Sequence, residues 1–531
     1  MSEKLIPGME VDVDAHSVEP DAQHRSINDK YFRTDHLKQN LGGRTARGGA
    51  VAITTQALKF VITLVATSVM ARLLTPQDYG LIGMVAVVTG FVSTYKDLGL
   101  SAATIQRAEI NPEQISTLFW VNVLLSVGIT IFTILIAPLI SWFYGEPRLT
   151  SITVFTAFGF LVNGLAVQHE ALLRRQMRYF SLATVGLISL IVGYVVGIYL
   201  AWKGFGYFAL VGSQLALGLT GTALTWILCR WTPGLPKKDT GARSMIRFGG
   251  NLTGFATINY FARNGDNLLI GRFWGAQQLG IYSRAYQLMT LPIDQINEPI
   301  TSVAVPALSR LADAPEEYRS AYLRMLEKIA LLTMPSVALM IVTADWIVAI
   351  VLGPRWSEVA FMLRILGLAA LIQPIANTAG WLLVTQGRTN EMFKMAMFGG
   401  PITVAAIIAG LPWGATGVAI SYTVTHICST PVLYWYLCRR GPIRASDFYR
   451  TIGPFVFASL SGLLLAMGFR FWQPTISSIR GILACTIIVG VSFFLLLSLL
   501  PAGRRALKDA ERAIRMLRGR QSPGSTSVTK V

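Results

Sequence analysis

The chain has 531 residues, 53% of them hydrophobic and only 14% charged, yet it carries a formal net charge of +18. So few charges exclude an ordinary water-soluble domain, in which about a quarter of residues are charged. The surplus of lysine and arginine falls in loops and tails beside apolar stretches, which is the mark of membrane topology and speaks against nucleic acid as a partner.

Taken in chain order, residues 1–45 are polar, mixed in charge and without a signal-peptide core, and they predict a disordered tail. About fourteen apolar stretches follow, at 50–71, 80–95, 115–139, 150–170, 180–202, 205–229, 248–270, 280–305, 328–350, 358–382, 393–411, 415–437, 452–469 and 481–500. Most reach the roughly 20 helical residues that cross a bilayer core. Strand-like alternation is absent, so the expected fold is an all-α polytopic membrane protein.

Alternate loops hold twenty lysines and arginines, against seven in the loops between them. Placing the basic loops inside puts both termini in the cytoplasm. After the last stretch, Leu507, Ala510, Ile514 and Leu517 lie among basic residues. That tail reads either as a solvated anchor or as an amphipathic helix on anionic membrane lipids. The four cysteines have no metal-ligand or disulfide spacing, and no metal or other cofactor is expected. The loops carry none of the common hydrolase or nucleotide-binding motifs, so an enzyme is not expected.

At an offset of 200 residues the chain matches itself at Arg47/Arg247, Gly49/Gly249, Arg72/Arg272, Gln77/Gln277 and Gly80/Gly280. Six spans separate the copies, an even number, which predicts a parallel repeat about an axis along the membrane normal. The expected organisation is a six-helix lobe at 46–230, a linker at 231–247 and a second six-helix lobe at 248–440. Two accessory helices at 441–500 and a basic tail at 501–531 complete it. One chain then contains both lobes, so a monomer is expected.

Charged residues inside spans are functional candidates because they are costly there. Asn259, Arg263 and Asp266 share one helical face, which reads either as a wall of a wet cavity or as a self-neutralising Arg263–Asp266 pair. Asp294 and Glu298, four apart, suit ion coupling, or else serve as counter-ions to Arg284 or Arg263. Lys59 and Arg364 either meet an anionic substrate or reach toward the membrane surface. Arg174, Arg175 and Arg178, just beyond His169 and Glu170, suit phosphate, lipid head groups or topology alone. His426 reads as an interhelical hydrogen bond.

The segments Ala71-Arg72-Leu73-Leu74-Thr75-Pro76-Gln77-Asp78-Tyr79-Gly80 and Asp97-Leu98-Gly99-Leu100-Ser101 resemble the polysaccharide transporters of the multidrug/oligosaccharidyl-lipid/polysaccharide exporter superfamily. So do Asn264-Gly265-Asp266-Asn267 and Leu279-Gly280-Ile281-Tyr282-Ser283-Arg284-Ala285-Tyr286. The resemblance covers roughly residues 45–440. It implies two six-helix lobes and outward movement of an undecaprenyl-diphosphate-linked oligosaccharide across the bacterial inner membrane for lipopolysaccharide or exopolysaccharide synthesis. Arg263, Lys59, Arg364 and Arg284 would face the diphosphate, and a polysaccharide polymerase or copolymerase would be a partner. Moving one negative charge outward gains about 2.3 kcal/mol per 100 mV of inside-negative potential. The alternative within the superfamily is a cation-coupled multidrug antiporter built on Asp294 and Glu298.

Overall fold

The structure is a computed structural model that describes residues 41–94, 100–107, 110–236 and 242–500, with short pieces between 503 and 512. Side chains are not described at 41–47, 50, 102, 103, 106, 242–259, 261, 262 and 389. Residues 1–40 of the tail expected at 1–45, most of the basic tail beyond 500 and residues 237–241 of the linker expected at 231–247 lie outside the described residues, while 41–45 are already helical.

Proline and side-chain caps set the helix starts. α1 (Leu41–Leu73) ends at a short break, and α2 (Pro76–Ser93) begins at once, with Pro76 in its first turn. Proline belongs there because its missing N–H would have no helical partner. Thr75 caps the helix: its hydroxyl accepts from the Asp78 N–H at 3.3 Å, while the Asp78 carboxylate accepts from the Thr75 N–H at 2.9 Å. α3 (Leu100–Gln106) is a short helix. α4 (Pro112–Tyr144) repeats the proline start and ends at Gly145, a left-handed cap with φ 69°.

α5 (Arg148–Gly164) and α6 (Val167–Arg175) are bent by 40° against each other and together are long and apolar enough for one broken span. α7 (Tyr179–Trp202) and α8 (Phe208–Cys229) complete the N-terminal half. α9 (Ala242–Arg310) is 69 residues long and breaks once, at Gly275, whose φ of 78° and ψ of −177° are open to glycine and hard for other residues. Its two limbs, 242–274 and 276–310, fold back along the bundle.

The rest of the C-terminal half is α10 (Pro315–Val342), α11 (Ala344–Val351), α12 (Ser357–Ala370), α13 (Gln373–Asn377), α14 (Ala379–Thr385), α15 (Thr389–Gly410) and α16 (Gly414–Leu437). α17 (Ala445–Trp472) and α18 (Ser478–Leu499) close the chain. No strand occurs among the described residues.

Among the described residues, eight helical segments are long and apolar enough to cross a membrane, and up to ten if each bent pair counts as one span. That is fewer than the fourteen expected. α2 and α9 are not among them, and 390–437 counts once although it holds α15 and α16. The outer surface is apolar, with Leu124, Leu135 and Phe398 each more than 70% exposed, as lipid contact requires.

The two halves meet along α2 and α9. A Cβ at Gly80 would overlap the Ala276 carbonyl, and a Cβ at Gly280 would overlap the Pro76 carbonyl. These contacts are themselves related by the 200-residue offset, 80 to 276 and 280 to 76. They lie at the end of the bundle that carries the 73–76 and 275 breaks, here the far end.

Trp356 donates its indole N–H to the Ala71 carbonyl at 2.8 Å, and Arg72 reaches the Ile350 carbonyl at 2.8 Å. Deeper in, Tyr260 donates to the Val87 carbonyl at 2.7 Å. At the near end, Arg319 pairs with Asp447 at 2.6 Å and Arg388 with Glu391 at 2.6 Å.

Replacing Gly80 by leucine forces the facing backbones apart. The expected outcome is that an Ala276→Cys thiol, shielded in the parent contact, reacts with a membrane-impermeant maleimide, at least about tenfold faster by the usual free-energy conversion. Unchanged labelling would show that the contact yields without opening.

Candidate functional site

The far-end motif turns out to be a joint between the halves. Tyr79 is buried, with the Arg284 guanidinium 3.8 Å above its ring and the Trp356 ring packed edge-on at 5.3 Å. Arg284 also donates to Gln287 on its own helix. A cation over an aromatic face gains strength away from water, and here it ties α9 to α2. Arg284 is therefore a far-end joint residue and does not line the cavity described next.

In the C-terminal half a cavity of about 710 Å3 opens between α9, α13–α14, α15 and α16. Arg263, Asp266 and Asp294 line it, with Tyr286, Tyr422 and His426 as its aromatic wall and Gln373 and Asn377 as its amides. The Tyr286 and Tyr422 rings lie 6.1 Å apart, edge to face, and His426 lies 4.6 Å from Tyr422. These aromatic bodies with polar edges are suited to a ligand that is apolar on one face and hydroxylated on its rim.

The two charges on the first limb of α9 do not neutralise each other. Asp266 is buried and accepts from the Tyr282 hydroxyl at 2.7 Å and the Asn267 N–H at 2.8 Å. Tyr282 stands on the second limb, so this bond staples the two limbs across the Gly275 break. Arg263 makes no ion pair or hydrogen bond among the described residues and stays exposed on the cavity wall. Asn259 lies on the same limb, but its side chain falls outside the described residues.

The second limb contributes Asp294 to the wall, whereas Glu298 is exposed and does not line the cavity. Arg364 is also elsewhere. It pairs with Asp345 at 3.0 Å, and Arg470 takes the same carboxylate at 2.6 Å, so the expected diphosphate contact is a far-end ion-pair network.

Lys59 lines a different cavity, of about 480 Å3, in the N-terminal half. Its other walls include Gln56, Asn163, Glu170, Arg174 and Thr222.

The basic cluster beyond α5 is divided among several tasks. Arg174 pairs with Glu170 at 2.6 Å on the surface. Arg175 donates to the Thr104 carbonyl at 3.1 Å, and Arg178 to the Leu228 carbonyl at 3.0 Å. His169 is buried, stacked 4.2 Å from Trp226, with Nε2 3.0 Å from the Trp231 carbonyl, which makes that nitrogen the N–H donor. Two of the three arginines thus hold loop and helix-end carbonyls.

Gln373, Asn377 and Tyr422 were not singled out from the sequence. The usable signal was Gln373-Pro374 within an otherwise apolar stretch, where the structure bends the span by 47°. Interrupted membrane helices commonly line substrate sites.

A helical membrane bundle whose halves touch at one end and whose C-terminal half holds a polar cavity has the architecture of a transporter. Residues 69–361 match the model of the family described as "Polysaccharide biosynthesis protein". The chain belongs to that family.

Among its relatives are the teichuronic acid biosynthesis protein TuaB of Bacillus subtilis, 27% identical over 76% of this chain and 84% of the relative. The lipopolysaccharide biosynthesis protein WzxC of Escherichia coli is 26% identical over 73% and 79%. The fold is that of the lipid II flippase MurJ in its inward closed conformation. TM-score is 0.69 at 13% identity, covering 84% of this chain and 97% of that one.

The Tyr282–Asp266 bond gives a direct test of what Asp266 does. Asp266→Ala leaves the buried hydroxyl unpaired, at a cost of about 1–3 kcal/mol, whereas Asp266→Asn keeps an acceptor and costs less. Thermal unfolding in detergent should rank parent, Asn and Ala in falling order. Equal midpoints for all three would assign the carboxylate to ligand binding alone.

Proposed function

We propose that the chain moves a polyisoprenoid-diphosphate-linked oligosaccharide from the inner to the outer leaflet of a bacterial cytoplasmic membrane, supplying surface polysaccharide synthesis. The observation that carries this reading is Arg263, a guanidinium with no partner among the described residues, on the wall of a cavity also lined by aromatic rings, amides, apolar side chains and the carboxylates of Asp266 and Asp294. Guanidinium matches phosphate oxygens in pairs. The rings and amides offer stacking and hydrogen bonds to sugars. The relatives' roles in polysaccharide biosynthesis point the same way, as does the flippase fold.

In this reading the near end, with its basic loops, is cytoplasmic and both termini lie there. Helices up to α8 form one lobe, α9–α16 form the other, and α17–α18 are accessory. The Gly80–Gly280 contact closes the outward side while the substrate loads. One chain holds both lobes, which supports a monomer as the working unit. The enzyme that consumes the flipped lipid is a polymerase of the oligosaccharide. Of the antiporter alternative's two carboxylates, Asp294 lines the cavity and Glu298 does not, which favours the flippase reading.

The test is flipping of a fluorescent polyisoprenyl-diphosphate oligosaccharide in proteoliposomes, read by an external quencher. Loss of charge-assisted bonds worth about 1.5–3 kcal/mol should make Arg263→Ala at least about tenfold slower. Arg263→Lys should fall between the two. Flipping retained in Arg263→Ala would remove this residue from the site. A parent protein that moves no lipid-linked sugar would end the flippase reading itself.

A further inference from the structure

A second concavity lies outside the polar cavity, against the same two helices. It is an apolar groove of about 740 Å3 between α15 and α16, lined by Phe398, Ile402, Val424 and Val432 among others. Met395, Gly399 and Leu433 belong to both linings, so the groove and the cavity share a wall.

The groove has a definite depth. α15 starts at the near end, and the lining residues 394–402 lie about 8–20 Å along it at 1.5 Å per residue. α16 runs back toward the near end, and its lining residues 424–436 are its last turns. Lys394 stands at the near-end rim, and the Arg439 guanidinium lies 3.5 Å over the Trp435 ring beside it. The concavity thus occupies the near-end half of the membrane, with cationic groups at its mouth and hydrocarbon side chains within.

We propose that this groove seats the isoprenoid chain of the lipid-linked substrate, and that the shared wall at Met395, Gly399 and Leu433 is where the lipid passes sideways between bilayer and cavity. The proposal rests on the flippase reading above. The argument is one of continuity. A diphosphate held on Arg263 leaves its hydrocarbon tail inside a polar cavity unless the tail leaves through a wall, because exposing apolar surface to a wet space is unfavourable in proportion to its area.

The wall between α15 and α16 carries an apolar trough on its outer side. Gly399 gives it room: it is exposed, and a Cβ built there meets nothing nearby. The groove's position in the near-end half matches loading from the inner leaflet while the far end is shut at Gly80 and Gly280.

The experiment uses the full chain in proteoliposomes with two photoreactive probes at equal mole fraction. One is a diazirine-bearing polyisoprenyl diphosphate, the other a diazirine-bearing phosphatidylglycerol. Cross-linked peptides are mapped by mass spectrometry. The isoprenoid probe should label 394–402 and 424–436 with at least about tenfold preference over the phospholipid, and unlabelled polyisoprenyl diphosphate should compete it away.

Gly399→Trp fills the shared wall from the open side. It should cut both labelling and flipping by about tenfold while geranyl diphosphate, which has a short tail, still binds the cavity. Val424→Phe, at a position already facing lipid, provides a second obstruction if the tryptophan variant does not fold. Equal labelling by the two probes would mean ordinary annular lipid and overturn the proposal. So would wild-type flipping in both variants. If the parent flips and cross-links elsewhere, only the groove assignment falls. If the parent flips nothing, it is the function reading that fails.

Discussion

Two stretches of backbone, one starting at Pro76 and the other at Ala276, lie so close at Gly80 and Gly280 that side chains are excluded from both positions. The rest of the far end is arranged around that approach. The Thr75 cap fixes where α2 begins, which sets the register that brings Gly80 onto Ala276. Tyr79, next to that glycine, then falls between Arg284 and Trp356, one from each side of the partner half. The break at Gly275 turns α9 back on itself, and the Tyr282–Asp266 bond holds the two limbs at the separation the cavity needs. A discrete backbone contact of this kind is either made or broken, the property required of an element with two stable arrangements.

The charges inside the bundle differ by whether another part of the fold has already claimed them. Arg284 is taken by an aromatic face, Arg364 by a carboxylate, and Arg175 and Arg178 by backbone carbonyls. Each of these arginines lowers the cost of its own burial by the partner it has found. Arg263 has no such partner among the described residues and lies on a cavity wall of mixed chemistry. The difference separates a structural arginine from one available to a ligand, and only three-dimensional placement reveals it.

The helical character, the membrane setting and the offset repeat were readable in the sequence because each depends on local composition or on a fixed spacing. Gly80 and Gly280 were flagged by the repeat, and the structure gives their role as reciprocal contacts. The pairing of Arg263 with Asp266 was an open alternative, since i,i+3 spacing permits it; Tyr282, sixteen residues on, takes the carboxylate instead. Nothing local to Arg364 points to Asp345, nineteen residues earlier across a turn, or to Arg470 beyond it. Gln373 and Asn377 were hidden because a bent span reads as one apolar stretch when only its average hydropathy is considered. Length and composition alone pick out fewer spans than fourteen among the described residues, because α2 and α9 carry polar residues that lower their mean hydropathy.

α17 is attached to the C-terminal half at both ends, and α18 packs along it. Asp345 and Trp346 hold Arg470 at the far end, and Arg319 holds Asp447 at the near end. A helix pinned at two levels cannot pivot against its support, so the pair travels with that half as one rigid piece. The C-terminal half therefore has the larger footprint in the lipid and the greater viscous drag, and in any rocking motion the lighter N-terminal half makes the wider swing.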